Sequence, residues 1–296
     1  MIKFGKICFF VLLGLTTLSG IARAQLQVTL KMSRALYMIY EPMLVEVSIT
    51  NLSGRNLDLA DAPAQPWFGF EIFAGKDTLL APVNPHYHVE PLHIPAGQTL
   101  KRTVNLTPLY PLQEFGPHSV RAVIYDKATD KYFPSNRKAI EITDGVQIWS
   151  QTVGATAAQG GGNRAISLLT NSLPKENRLY VRVMNPDNGV ALACYSLGRL
   201  LSFSPPEYTL DDKNQLNVLQ MVGPRQYFYT QIDPNGKILQ RTSYLSDKTI
   251  PKLSREDLGF VVVKGGKLDS PEARAARQPP TANLPKLSDR PIGAGE

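Results

Sequence analysis

Short runs in which apolar and polar residues alternate fill the chain from Leu26 to Thr143, broken by glycine, proline and asparagine. They read LQVTLKMS, MLVEVSITN, NLDL, WFGFEIF, TLKRTVNL, HSVRAVIY and KAIEIT. A strand turns successive side chains to opposite faces, so a period of two predicts strands buried on one side. In MLVEVSITN, Val45, Val47 and Ile49 share one face while Leu44, Glu46 and Ser48 share the other. Asn51-Leu52-Ser53-Gly54 then supplies turn chemistry, since asparagine tolerates a left-handed backbone and glycine adopts it freely. Strands of this length and spacing predict an antiparallel β-sandwich over residues 25–145.

The second half carries a different signal. Thr152 to Asn163, TVGATAAQGGGN, is rich in small residues and glycine. It reads as a flexible linker or long loop, with Val146-Gln147-Ile148-Trp149 as a strand just before it. The region 146–163 is therefore a linker or the first strand of a second domain spanning 164–263. Within that domain Arg178, Tyr180, Asn188 and Gly189 recur as Arg225, Tyr227, Asn235 and Gly236, at an offset of 47. Asn-Gly between alternating strands predicts a hairpin each time. YTLDDKNQLNVLQM, between the two copies, predicts another. The fold class expected is all-β throughout, with an antiparallel meander or small sandwich following the first one. Two repeats are too few to close a propeller. Residues 264–296 mix proline, alanine and charges without apolar periodicity, which predicts a disordered tail.

The first residues change the setting in which this fold is expected. Lys3 and Lys6 precede an apolar run from Ile7 to Leu15, and Ala22-Arg23-Ala24 follows. That order predicts a signal peptide over 1–24, cleaved before Gln25. The run is too short for a spanning helix and no later segment is more apolar, so no transmembrane segment is expected. Cleavage lowers the net charge from +7 to +4, and no dense basic patch remains of the kind nucleic acid requires. Cys194 is the only cysteine outside the leader, which leaves no partner for an intramolecular disulfide.

Several residues of the first domain fall in a recognisable order: Tyr40-Glu41-Pro42, an alternating strand, Thr50 to Gly54, a Pro-Ala-Gly turn at 95–97 opening Thr99 to Leu106, and Gly116 before Val120-Arg121-Ala122-Val123. This order resembles bacterial immunoglobulin-like domains of the intracellular proteinase inhibitor-like type, over about residues 25–145. The resemblance implies an immunoglobulin-like sandwich. It carries inhibitory activity over only as one option, because one fold hosts many functions.

Candidate chemistry is sparse. His86, His88 and His93 lie close together with Glu90 among them, and a turn could gather them round zinc or copper. Pro85, Pro91 and Pro95 argue instead for an extended loop of hydrated histidines, so no metal and no cofactor is expected. Gly-x-Ser-x-Gly and His-Glu-x-x-His are absent, and no catalytic residue is assigned. Cys194, in GVALACYSLG, reads as a buried small hydrophobe. The acidic turns at 211–214 and 233–236 read as turn-makers rather than calcium ligands.

Aromatic residues offer the better binding candidates. Phe68 and Phe70 alternate with Gly69 and point to the core, which leaves Trp67 available as an outward platform. Tyr227 and Tyr229 share one strand face. The expected function is an exported, non-enzymatic binding or scaffold protein of the cell envelope, periplasmic or extracellular, engaging an envelope or secreted protein through its immunoglobulin-like loops or a sheet edge. The alternatives are a carbohydrate-binding protein, which needs Trp67, Trp149 or the tyrosines as an exposed strip, and a proteinase inhibitor, which needs a rigid loop at 82–96.

Overall fold

The computed structural model describes residues 26–269, apart from 64 and 85–87. The expected leader at 1–24 and the expected disorder from Ser270 onward lie outside the described residues. Within them the chain is almost entirely strand, joined in antiparallel sheets and interrupted by one short 3-10 turn at Ala157–Gln159. The all-β expectation holds. Two compact units emerge, one from residues 26–35 with 43–141 and the other from 36–42 with 142–269.

The strands up to Thr143 are β1 (Leu26–Met32), β2 (Leu36–Met38), β3 (Leu44–Asn51), β4 (Leu57–Leu59), β5 (Phe68–Ala74), β6 (Thr78–Leu79), β7 (Leu92–Ile94), β8 (Thr99–Asn105), β9 (Gly116–Asp126), β10 (Lys131–Pro134) and β11 (Lys138–Thr143). In the first unit β1-β3-β8 form one sheet and β11-β9-β5-β6 another, with β10 on the far end of β9 and β4-β7 a separate ribbon. The period-two reading of β3 is borne out: Val45, Val47 and Ile49 are buried and Leu44 is exposed. Leu26, Val28 and Leu30 of β1 and Phe68, Phe70 and Ile72 of β5 fill the interior with them. The turn after β3 is held by Asn51, whose buried amide donates to the carbonyls of Arg55 and Ile94 while its side-chain oxygen accepts from Ser53.

The remaining strands are β12 (Val146–Gly154), β13 (Asn163–Ser172), β14 (Asn177–Met184), β15 (Ala191–Leu200), β16 (Glu207–Leu210), β17 (Leu216–Gly223), β18 (Gln226–Ile232), β19 (Ile238–Leu245), β20 (Lys252–Arg255), β21 (Val261–Lys264) and β22 (Lys267–Leu268). They make two meanders, β12-β13-β14-β15 and β16-β17-β18-β19-β22, with β20-β21 as a ribbon. Ile166, Leu168, Leu179, Val181, Val183 and Leu197 of the first meander pack against Leu216, Val218 and Ile232 of the second in one apolar cluster. The echo at an offset of 47 therefore places one Asn-Gly turn in each sheet.

Three boundaries differ from the expectation. Order extends past Lys264, because Leu268 pairs with Tyr244 and Asp269 is buried. The small-residue stretch is not a loose linker: Thr152 to Gly154 belong to β12, and the carbonyl of Gln159 accepts from Arg164 Nη2 at 3.2 Å and from Asn235 Nδ2 at 2.9 Å. Residues 36–42, early in the chain, belong to the second unit. There Met38 and Tyr40 pack on Leu169, Tyr180 and Cys194, and the N–H of Ile39 donates to the carbonyl of Thr143.

Candidate functional site

Every second residue of β5 points away from the core, and its neighbours in register build a groove on that outer face. Gly69 lies opposite Val123 of β9, Glu71 lies opposite Arg121, and β10 brings Pro134 beside Val123. Pro66 and Tyr132 form walls round this floor, enclosing about 590 Å³. Tyr132 is 55% exposed and its ring leans on Tyr125, with centroids 5.0 Å apart. The hydroxyl of Tyr125 donates to Asp130, which together with burial holds its own proton more tightly than usual. The described lining contains no serine, cysteine or histidine.

Two features mark the groove. Arg121 donates from Nε (2.8 Å) and Nη2 (2.6 Å) to Glu71 Oε2. Neither Glu71 Oε1 nor Arg121 Nη1 has a hydrogen-bond partner among the described residues. Glu71 Oε1 is thus left as an acceptor, and Nη1, on the side of the guanidinium turned away from the carboxylate, is left as a donor. The second feature is Gly69. Its backbone lies outside the left-handed region and a Cβ there would meet nothing within 4 Å, so neither backbone nor packing demands glycine. Glycine inside a strand costs about 0.5–1 kcal/mol, and it commonly marks a place where a ligand or another backbone comes close.

Past Gly69 a smaller depression continues between Pro82, Leu109 and Tyr110. The hydroxyl of Tyr110 accepts from the N–H of Phe70 at 3.3 Å and donates to its carbonyl at 3.0 Å. One side chain therefore caps both outward backbone groups at the open side of β5. Main-chain pairing of another strand to β5 is thereby closed off at Phe70.

The aromatic candidates do not form a platform. Trp67 is fully buried; its indole N–H donates to the carbonyl of Val89 at 2.9 Å, and Arg102 lies over its ring at 5.9 Å. The expectation of an outward Trp67 fails because it precedes β5, where the chain carrying Val89 supplies a partner for the indole. Tyr229 is buried too, with its hydroxyl donating to Asn217 at 2.7 Å, while Tyr227 on the same face is half-buried. Trp149 is half-buried against Tyr208.

The histidines are held apart. The Nδ1–H of His88 donates to Asp61 at 2.8 Å and that of His93 to Asp58 at 2.7 Å; His86 lies outside the described residues. Among the described residues no three His, Cys, Asp or Glu side chains are grouped for a metal. Asp211 and Asp233 each accept two turn N–H groups, as turn-makers do. Cys194 is buried and its thiol is pushed up to about 12 by desolvation, which Arg182 partly offsets. A second hollow in the other unit, beside Glu207 and Arg255, has its charges already used on the backbone of Leu253 and Leu210.

Gly69 stands out in the sequence as a glycine inside WFGFEIF, a signal that could have marked the groove. Glu71 and Arg121 are 50 residues apart, and only the register of β5 on β9 brings them together. Among the described residues no helix is long and apolar enough to cross a membrane. The chain matches no protein-family model and no curated protein.

Proposed function

We propose that this chain is an exported, non-enzymatic binding protein of the cell envelope, and that its first unit, an immunoglobulin-like sandwich, holds a segment of a partner protein in the groove over Gly69. The observation that carries the reading is the open space above Gly69, a strand glycine with no conformational or packing reason to be glycine. The donor left on Arg121 and the acceptor left on Glu71 give the groove polar contacts, and Pro66, Val123, Tyr132 and Pro134 give it apolar area for side chains. A volume of this size suits a few residues of an extended segment. Export rests on the opening residues of the sequence.

Recovery of a partner by the full mature chain, compared with Gly69→Leu, tests the reading. Leucine fills the groove without meeting other atoms at its Cβ. A protein recovered by the parent chain and lost with Gly69→Leu supports it, and a protein recovered equally by both contradicts it. A glycan partner is less well supported, because Trp67 and Tyr229 lie inside. The inhibitor reading keeps one support: within 82–96, residues 88–93 are tied down through His88, Val89 and His93.

A further inference from the structure

β12 is an edge strand. Among the described residues its only sheet neighbour is β13, and nearly all of its residues are exposed, Val146 by 67% and Ile148 by 37%. Which of its backbone groups face outward follows from the ladder. The N–H of Ala155 donates to the carbonyl of Gly162, and hydrogen-bonded pairs alternate along an antiparallel ladder. The pairs Val153 with Arg164 and Gln151 with Ile166 are therefore the bonded ones. Ser150, Thr152 and Gly154 consequently turn their N–H and C=O groups away from β13. The carbonyl of Gly154 is taken by Asn214 Nδ2 at 3.2 Å. The backbone groups of Ser150 and Thr152 have no partner among the described residues.

Proteins blunt such edges with charges, prolines or bulges. Here only one of these devices is present, a bulge between Gln147 and Trp149 that bends the start of the strand. From Gly145 to Asn163 there is no charged residue and no proline, in a chain where 19% of residues are charged. A strand without charge does not repel its own copy, so the surface suits a second β12.

We infer that two copies of this chain associate through β12, paired antiparallel about a two-fold axis at Gln151. In that register Ser150 of one copy lies opposite Thr152 of the other, and the reverse. Each pair exchanges two main-chain hydrogen bonds, which uses all the outward groups of Ser150 and Thr152. Gln151 meets its own copy in the closely spaced, non-bonded position. The bulge keeps Val146 and Gln147 out of the pairing, so the contact is short and its affinity modest, in the class of small transient interfaces.

The register makes Gln151 the point of test. Gln151→Lys and Gln151→Glu each place like charges face to face at the axis, while an equimolar mixture places Lys against Glu. Sedimentation equilibrium of the purified full chain should show a monomer–dimer equilibrium, weakened about fivefold or more in each variant at low salt and restored in the mixture. Restoration by mixing separates a lost interface from a lost fold. Thr152→Pro, which removes an outward donor and leaves the β13 ladder intact, should weaken the dimer as well. A parent chain that stays monomeric at every concentration, or a dimer that both charges leave unchanged, would overturn the assignment.

Discussion

The hydroxyl of Tyr195 donates a 2.7 Å hydrogen bond to the carbonyl oxygen of Gly236, so the second Asn-Gly turn is fastened to the sheet opposite. Arg164 Nε adds a 2.9 Å bond to Asn235 of the same turn. A Cβ on Gly236 would come within 2.3 Å of the Ala193 side chain, whereas one on Gly189, in the first copy of the turn, would meet nothing within 4 Å. Both glycines have a left-handed backbone, with φ of 85° and 70°.

The two copies should therefore respond differently to the same substitution. Gly189→Ala should cost about 1–2 kcal/mol, the strain of a left-handed L-residue alone. Gly236→Ala adds overpacking against Ala193, for a total of roughly 2–5 kcal/mol. Urea unfolding of both variants measures the difference, and equal midpoints would refute the docked turn.

Met38 should matter to the second unit although it lies near the start of the chain. It is fully buried beside Cys194, and Met38→Ala should destabilise that unit by about 2–5 kcal/mol. The same substitution should speed the reaction of Cys194 with a thiol reagent, which in the parent chain should be slow because the thiol is buried. A thiol equally slow in both chains would show that residues 36–42 do not cover it.

Alkali should loosen the fold in a defined window. Burial pushes the Cys194 thiol from 9.0 to about 12 and the Tyr229 hydroxyl from 10.0 to about 12. Both stay protonated in the folded chain after the unfolded chain has lost its protons. The stability tied to them is complete below about pH 9 and is lost as the pH rises towards about 12. Urea midpoints across that range should fall, and should fall less steeply in Tyr229→Phe; a flat profile would contradict the burial of both groups.

Trp67 should behave as a core residue. Trp67→Ala should cost about 3–5 kcal/mol in unfolding free energy, far more than a surface platform would. A loss within about 0.5 kcal/mol, typical of surface sites, would return Trp67 to the exterior.

Much of the fold is legible in local patterning, because burial on one face writes itself into every second residue. Val45, Val47 and Ile49 read correctly for that reason, as do the turns after Asn51 and at Asn235. What stayed hidden depends on partners far along the chain. Nothing near Trp67 shows that Val89 will accept its indole proton, and nothing in residues 36–42 shows that Leu169, Tyr180 and Cys194 will cover Met38. The groove was half legible: Gly69 is visible as an odd residue in a strand, but Glu71 and Arg121 become a pair only through strand register. Small residues between 152 and 163 imitate a linker, since composition does not register the bonds from Arg164 and Asn235 to Gln159.

The groove over Gly69 is tested most directly by Gly69→Leu, measured twice on the full mature chain. Its unfolding midpoint should match or slightly exceed that of the parent, because a strand glycine is exchanged for a residue with open space around its Cβ. Its recovery of the partner protein from the envelope and secreted fractions should fall to background. A Gly69→Leu chain that is equally stable and still captures the same protein in the same amount would contradict the proposal that this groove is the binding site.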